Sequence, residues 1–252
     1  MLDMLQIPYT GSDPLTLATC LDKARTKEIL FYHNIPTAPF LIANEINQVN
    51  NINLTFPLFV KPVWEGSSKG IFTSCFVRNI KELKVQVDRI VTEYSQPALI
   101  EEFLSGREFT IAILGNGDDA EVLPIVEINY NDFPEGFIPV YSYEAKWILD
   151  TKENPLDVFS CPAKLSHDIE TKIKQVALNA YKTLRCRDWS RIDVRMNADN
   201  VPNIIEINPL PGILPDPKEN SCYPKAARTA GISYDEMLNR VLFAAARRHN
   251  LI

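Results

Sequence analysis

Several residue types that mark common protein classes are scarce in this sequence. Only 9 of the 252 residues are glycine and only 3 are histidine, and the histidines lie far apart, without the spacing of zinc ligands. No apolar run approaches the roughly 20 residues needed to cross a bilayer. The N-terminal segment MLDMLQIPYTG lacks the basic start of a secretory signal. We therefore expect no histidine zinc site and no membrane partner.

Cysteine pairs and basic charge are also lacking. The five cysteines are widely spaced and form no CxxC pair, which is typical of free thiols in a reducing cytosol and predicts a cytoplasmic location. Acidic residues outnumber basic ones by 32 to 26, and no basic block is longer than Arg247-Arg248, so we expect no nucleic-acid partner. What is present is 46% hydrophobic residues, enough to bury a substantial core.

Local patterns predict a mixed succession of helices and strands. Asp13, followed by a proline, predicts the start of a helix over 14–32, and Asn79 predicts the start of a helix over 80–94. A strand is predicted over 71–77. Because the strands form hairpins rather than regular βαβ units, we predict an α+β fold with mainly antiparallel sheets. The other predicted strands are 40–43, 58–63, 98–103, 108–114, 122–128, 189–197 and 201–208, and the other helices are 164–184, 223–231 and 234–249.

The segment SRIDVRMNADNVPNIIEIN predicts a hairpin with chemistry on one face. If Asp199-Asn200 forms a two-residue turn, Asp193 lies opposite Glu206 and Arg191 lies opposite Asn208. Strand alternation then places these four side chains on one face. The opposite, apolar face would carry Ile192, Val194, Ile205 and Ile207.

Two facing carboxylates repel each other unless a cation neutralises them. Oxygen ligands from Asp193, Glu206 and Asn208 suit Mg²⁺, which completes its octahedron with water and phosphate oxygens. The alternative is a solvated polar face on which Arg191 simply pairs with Asp193.

Three further segments have features of a nucleotide site. Lys61 ends an apolar strand and precedes the Gly/Ser loop EGSSKG, where small residues let backbone N–H groups reach a phosphate, although no Walker A pattern is present. Glu101 begins an acidic strand end that could hold adenine, and Glu108 follows it. Lys146 lies in a long loop, 129–162, that could close over phosphates. The alternatives are a polar hairpin loop, solvated acidic side chains and a solvent-facing lysine.

Taken in order, these segments resemble the ATP-grasp superfamily, and specifically the D-alanine–D-alanine ligase family. The resemblance implies an ATP-grasp fold, in which two α+β lobes clamp ATP. The resembling segments are residues 7–23, 56–70, 100–114, 141–147, 190–197, 204–212 and 223–238.

The resemblance also implies a role for individual residues, with ATP and two Mg²⁺ (or Mn²⁺) ions as cofactors. ATP would be bound by Lys23, Lys61, Ser68, Glu101, Glu102, Phe103, Leu104, Glu108 and Lys146, with adenine at 101–104, ribose at Glu108 and phosphates at the lysines. The metals would be held by Asp193, Glu206 and Asn208. Catalysis would depend on Arg191, Ser67 and Lys146, and the substrate would contact Gly212 and Ser221.

The implied reaction is ATP-dependent joining of a carboxylate to an amine through an acyl-phosphate, which forms a dipeptide as in peptidoglycan biosynthesis. The substrates would be small amino acids. Two alternatives stay open: a ligase for other amino acids in peptide natural-product synthesis, and a nucleotide-binding module without turnover.

The chain also departs from the family pattern. We expect residues 1–22 to be a remnant that links to an absent N-terminal lobe, supplied in cis or in trans, 23–104 to form the first ATP-grasp lobe, and 105–252 the second. Trp147 replaces the usual tyrosine, and the loop between Asn208 and Ser221 is longer than usual. These differences leave open the choice of substrate and whether the protein is a homodimer.

Overall fold

The computed structural model describes residues 1–130, 138–144, 156 and 158–252. Two antiparallel sheets form the framework of this part of the chain. The smaller sheet has four strands in the order β1-β4-β2-β3. Its strands are β1 (Phe40–Ala43), β2 (Leu58–Pro62), β3 (Phe76–Val77) and β4 (Ala98–Glu102).

The larger sheet has the order β10-β9-β5-β7-β8, and β6 pairs with β5 beside this path. Its central strands β5 and β9 pair over their whole length, from Glu108 opposite Arg195 to Leu114 opposite Trp189. The strands are β5 (Glu108–Leu114), β6 (Glu121–Val122), β7 (Val126–Ile128), β8 (Phe159–Ser160), β9 (Trp189–Met196) and β10 (Pro202–Asn208).

Helices cover both faces of the larger sheet. The described helices are α1 (Pro14–Leu21), α2 (Lys23–Tyr32), α3 (Ile80–Tyr94), α4 (His167–Thr183), α5 (Cys222–Thr229) and α6 (Tyr234–Arg248). One face of β5 packs through Phe109, Ile111 and Ile113 against α4. The other face packs through Ala112 and Leu114 against α5 and α6. This second face is open at the Glu108 end of β5, where the candidate site lies. None of the described helices has the length and apolar character to span a membrane.

Helix α3 shows how closely local sequence determines an element. The Asn79 side chain accepts a hydrogen bond from the backbone N–H of Glu82 at the helix start. Apolar side chains at helical spacing, including Leu83, Val87 and Ile90, are buried against the smaller sheet. The helix predicted over 80–94 is therefore confirmed.

The helix predicted over 14–32 is wrong in one respect, because it is broken at Asp22. This residue has ψ 95°, outside the helical region, and its side chain accepts from the backbone N–H of Arg25. Asp22 thus ends α1 and caps α2. The break makes Lys23 the first residue of α2, which sets the direction of its side chain.

The strand predicted over 71–77 is also wrong in its extent. Residues Thr73–Cys75 form a 3₁₀ helix, and only Phe76–Val77 pairs with β2. The backbone N–H of Cys75 bonds to the carbonyl of Phe72 at 2.9 Å, so it is used locally and not in the sheet. Cys75 is a free thiol, as are the other four cysteines.

The turn between β9 and β10 differs from the predicted two-residue turn. The N–H of Asn197 bonds to the carbonyl of Val201 at 3.0 Å, so three residues, 198–200, form the loop. Asn200 ends the loop at φ 58°, a left-handed conformation that asparagine tolerates.

A β-bulge then restores the predicted pairing further along the hairpin. The register shifts by one residue between Ile204 and Glu206, after which Asp193 lies opposite Glu206. The bulge also corrects one core assignment: Ile204, and not Ile205, belongs to the core cluster.

Candidate functional site

A cavity of about 640 Å³ lies between the two sheets. Its walls come from β2 and β4 of the smaller sheet, from β5, β9 and β10 of the larger sheet, and from the Gly/Ser loop and the segment after β10. The predicted site residues that line it are Lys23, Lys61, Ser67, Ser68, Glu101, Glu102, Phe103, Leu104, Glu108, Arg191, Asp193, Glu206, Asn208, Gly212 and Ser221. The structure therefore brings together residues that are almost 200 positions apart in the sequence.

Lys23 and Glu206 form a partly buried ion pair at one end of the cavity. The Nζ of Lys23 lies 2.9 Å from Oε1 of Glu206, and the lysine side chain is only 5% exposed. Burial by itself raises the pKa of Glu206, but the charge and hydrogen bond of Lys23 outweigh burial and lower it. Glu206 is thus held as a carboxylate next to a fixed positive charge.

Glu101 lies between two buried lysines. Its Oε1 is 2.7 Å from Nζ of Lys27, and its Oε2 is 2.6 Å from Nζ of Lys61. Burial raises the pKa of Glu101, but the two ammonium groups outweigh it and hold the pKa at about 2. Both carboxylate oxygens therefore face cations of the chain, which fixes Lys61 at the cavity wall.

The predicted hairpin face forms a second polar cluster. Arg191 donates to both carboxylate oxygens of Asp193, from Nε at 3.0 Å and from Nη2 at 2.9 Å. Thr110 donates to Oδ1 of Asp193 at 2.8 Å, and the amide nitrogen of Asn208 donates to Oδ2 at 3.3 Å. Burial lowers the pKa of Arg191 but Asp193 raises it further, so the guanidinium stays charged.

Glu108 and Arg195 form another ion pair at the other end of the cavity. Nη1 of Arg195 donates to Oε2 of Glu108 at 2.9 Å, and the hydroxyl of Tyr130 donates to the same oxygen at 2.9 Å. The guanidinium lies over the ring of Phe103, 4.7 Å from its centroid. Phe103 in turn packs edge-on against Phe76.

Two backbone N–H groups of residues 102–104 are already hydrogen-bonded within the chain. The N–H of Glu102 bonds to the carbonyl of Pro39 at 3.0 Å, and the N–H of Phe103 bonds to the carbonyl of Pro57 at 3.1 Å. Oε1 of Glu102 accepts from the N–H of Thr55 at 2.8 Å. The side chain of Glu102 therefore fixes the neighbouring loop as well as lining the cavity.

The Gly/Ser loop reaches across the cavity. Ser67 and Ser68 have φ 54° and 60°, and the hydroxyl of Ser68 donates to the carbonyl of Tyr141 at 3.2 Å. This bond connects the loop to the described segment 138–144. Lys146, which is predicted to bind phosphate, and Trp147, which replaces the usual tyrosine, lie outside the described residues.

The segment after β10 closes the remaining side. The hydroxyl of Ser221 donates to the carbonyl of Gly212 and accepts from the N–H of Leu214, both at 3.1 Å. These bonds hold the segment in a loop whose side chains Lys218 and Glu219 line the cavity.

The sequence interpretation missed three residues of the site. Lys27, in DKARTK, is one helical turn after Lys23, and this spacing was a usable signal. Arg195 continues the alternation of Arg191 and Asp193 along β9, and Thr110 likewise follows Glu108 on β5. The partners that these residues find come from other strands, which local sequence does not reveal.

Few oxygen donors of the chain surround the expected magnesium position at Asp193. Among the described residues, no group of three or more His, Cys, Asp or Glu side chains could hold a metal ion. The predicted set has only two carboxylates, Asp193 and Glu206, which face each other in the sheet, plus the amide oxygen of Asn208. Such hard oxygen donors fit Mg²⁺, provided that phosphate oxygens and water complete the coordination.

Comparisons with known proteins find relatives that match almost the whole chain. A family model described as "D-ala D-ala ligase C-terminus" matches residues 32–243. The chain is 33% identical over 247 residues to the D-alanine--D-alanine ligase of Bordetella petrii. The matched region covers 97% of this chain and 70% of that relative. It is 35% identical over 249 residues to an uncharacterized protein, y4sG, of Sinorhizobium fredii, with 99% and 69% covered.

Solved structures give the same result for the fold. The D-alanine--D-alanine ligase of Bacillus anthracis complexed with ATP matches with a TM-score of 0.72 and 25% identity, over 99% of this chain and 74% of that chain. Another structure of the Bacillus anthracis enzyme matches with a TM-score of 0.75 and 27% identity, over 99% and 75%. The expected α+β ATP-grasp fold is thus confirmed, and the family model covers well over half of the chain. The chain belongs to the D-alanine–D-alanine ligase family of ATP-grasp ligases.

Proposed function

We propose that this protein uses ATP to join the carboxylate of one amino acid to the amine of another, as in the formation of D-alanyl-D-alanine. The observation that carries the proposal is the single cavity in which Lys23, Lys61 and Arg191 lie among Asp193, Glu206 and Asn208. Cations and oxygen ligands that line the same cavity suit phosphoryl transfer, where catalysis is mainly positioning and charge stabilisation.

The two ends of the cavity suggest how ATP would lie. We place the adenine against the 101–104 edge, where the engaged N–H groups of Glu102 and Phe103 leave carbonyl oxygens and the Leu104 N–H for the base. Glu108 would accept from the ribose. The two sheets would then act as the two lobes, 23–104 and 105–252, that hold the nucleotide between them.

The lysines would bind the phosphates. In the structure Lys23 is paired with Glu206, and Lys61 with Glu101, so both ammonium groups are already positioned at the cavity wall. Phosphate oxygens would share these cations, and a charge-assisted hydrogen bond in a water-poor site is strong. Lys146 would add a further cation from its loop.

Magnesium would be held by Asp193, Glu206 and Asn208, and when bound it would neutralise charge on the phosphate oxygens. Asp193 and Glu206 are each paired with a cation of the chain. The negative charges of the two carboxylates are therefore balanced before nucleotide and metal enter. We propose two metal ions, as the family resemblance implies.

The remaining residues would act on the reacting groups. The donor carboxylate would take the γ-phosphoryl group to give an acyl-phosphate and ADP, and the acceptor amine would displace phosphate to form the peptide bond. Arg191 would stabilise the acyl-phosphate and the negative charge on oxygen in the tetrahedral intermediate. Ser67 and Ser68 would hold the loop over the site, because an acyl-phosphate hydrolyses if water enters. Gly212 and Ser221 would border the acceptor site.

A second candidate is a ligase with the same chemistry and different amino acids. It is favoured by the loop between Gly212 and Ser221, which places Lys218, Glu219 and Asn220 in the cavity wall. These charged and polar side chains would meet the acceptor, so its side chain need not be a methyl group.

The experiment is phosphate release from ATP and Mg²⁺ by the complete protein with a panel of D- and L-amino acids. Stimulation by D-alanine alone supports the leading proposal, and stimulation by other amino acids supports the second. Glu206→Gln should lower the release by about 100-fold or more. Glu127→Gln, on the rim of the same sheet and paired with Arg107, should leave the release unchanged. ATP binding without release in the presence of any amino acid would mean a nucleotide-binding module and would overturn both ligase proposals.

A further inference from the structure

Arg195 is a buried residue of the site, at the nucleoside end of the cavity, and takes no part in the proposed reaction steps. It lies directly opposite Glu108 in the pairing of β9 with β5, and its side chain is 5% exposed. Its Nη1 donates to Oε2 of Glu108 at 2.9 Å and to the carbonyl of Pro139 at 2.6 Å. One guanidinium thus joins the central strand of the sheet to the segment 138–144.

The environment of Arg195 is poorly explained by stability alone. Its Nε is buried without a hydrogen-bond partner among the described residues. A buried unpartnered donor is costly, and a buried ion pair is on average no more stabilising than well-packed apolar side chains. Unsatisfied polar groups of this kind are uncommon, and each needs an explanation.

The pKa of Glu108 is raised overall, and Arg195 works against this shift by favouring the ionised form. Burial raises the pKa of Glu108, and Arg195 is the first of the groups that oppose this effect, followed by the Tyr130 hydroxyl. Both of these groups bond to Oε2, and no hydrogen bond to Oε1 is found among the described residues. Oε1 is therefore the oxygen that a ligand can use, and it is a stronger acceptor while the carboxyl group is ionised than when the group is protonated.

We propose that Arg195 is a positioning residue that keeps Glu108 an ionised acceptor at the nucleoside end of the cavity, and so sets the preference for a ribonucleotide over a deoxynucleotide. The inference rests on the proposed function, because it requires ATP with its ribose at Glu108. Arg195 acts through Glu108 and does not itself contact the nucleotide. The hydrogen bond from Arg195 to the carbonyl of Pro139 links residues 138–144 to this ion pair.

The chain offers a matched control for Arg195. Arg107 precedes Glu108 and also pairs with a glutamate of the same sheet, donating to Glu127 from Nε at 2.6 Å and from Nη2 at 2.7 Å. Its side chain is 48% exposed, and it does not line the cavity. Replacement of either arginine by methionine removes one ion pair, but only the Arg195 variant changes Glu108.

The test is the dissociation constant of the complete protein for ATP, 2′-deoxyATP and 3′-deoxyATP in the presence of Mg²⁺. We expect the unmodified protein to prefer ATP over at least one deoxy analogue by about tenfold or more, the value of a hydrogen bond to a charged group. Arg195→Met should reduce that preference to within about twofold by weakening ATP and sparing the analogue. Arg107→Met should keep it, and Arg195→Lys should retain part of it.

Each outcome decides the proposal. An unchanged preference in Arg195→Met, or an equal loss of affinity for all three nucleotides, would show a merely structural role and overturn it. No preference in the unmodified protein would overturn the role of Glu108 as well. If Arg195→Met does not fold, as judged by its thermal transition, the affinities for ATP and the two deoxy analogues are compared in Arg195→Lys and Glu108→Gln instead. If the unmodified protein does not bind ATP at all, the proposed function itself is wrong.

Discussion

Removing the charge of Glu101 would test whether the buried ion cluster fixes the cationic wall of the cavity. Glu101 lies 2.7 Å from Lys27 and 2.6 Å from Lys61, and the three side chains are at most 8% exposed. Glu101→Gln preserves the size of the side chain but leaves two ammonium groups without their counter-charge. Burial already lowers the pKa of Lys27, so the variant favours a neutral Lys27. A neutral Lys27 limits the loss in the free energy of unfolding.

The magnitude follows from the pKa of Glu101, which is lowered from 4.5 to about 2 because the two lysines outweigh burial. A group whose folded pKa is depressed stabilises the fold fully above its unfolded pKa and loses that contribution as the pH falls toward the folded value. The depression corresponds to about 3 kcal/mol at pH 7 and about 2 kcal/mol at pH 3.5.

The assay is urea unfolding of the original protein and of Glu101→Gln at a series of pH values from 7 down to 3.5. We expect a difference in the free energy of unfolding of about 3 kcal/mol at neutral pH that narrows by about 1 kcal/mol at the acidic end. The matched control is Glu170→Gln, which removes an exposed pair with Lys174 and should cost less than about 0.5 kcal/mol. A Glu101→Gln variant as stable as the original protein, or a difference that does not change with pH, would refute the reasoning.

Three other predictions concern the site and its framework. Glu206→Gln should lower Mg²⁺-dependent turnover by about 100-fold or more while the thermal transition stays within a few degrees, and full activity would contradict the metal site. Arg191→Lys should lower kcat more than it raises KM, because lysine cannot replace the bidentate contact; steady-state kinetics would show this, and unchanged kcat would count against it. Gly106→Ala should destabilise by about 1–3 kcal/mol in urea unfolding, since its new Cβ would lie 2.6 Å from the carbonyl oxygen of Met196. Gly66→Ala, with nothing within 4 Å, is its control, and equal stability of the two variants would contradict the packing.

The elements that could be predicted from the sequence are those in which local signals agree. Asn79 and the apolar spacing after it define α3 from end to end. The pairing of Asp193 with Glu206 was also predicted correctly, although the predicted turn was wrong. A three-residue loop and a bulge each shift the register by one residue, and the two shifts cancel before the site begins.

What could not be predicted depends on contacts between distant parts of the chain. Lys27 and Lys61 meet at Glu101 only because α2 packs beside the smaller sheet. Arg195 meets Glu108 only because β9 and β5 are neighbours, although they are more than 80 residues apart. Strand neighbours of this kind are set by the topology, so alternation along β9 could suggest the face of Arg195 but not its partner.

The central proposal is that the donor carboxylate takes the γ-phosphoryl group of ATP to form an acyl-phosphate and ADP. The most direct measurement is to supply the donor amino acid with oxygen-18 in its carboxylate, together with ATP, Mg²⁺ and the acceptor, and to analyse the products by mass spectrometry. Our proposal predicts a dipeptide and inorganic phosphate that carries one labelled oxygen. A dipeptide formed with the label in AMP, or phosphate released without any label, would contradict it.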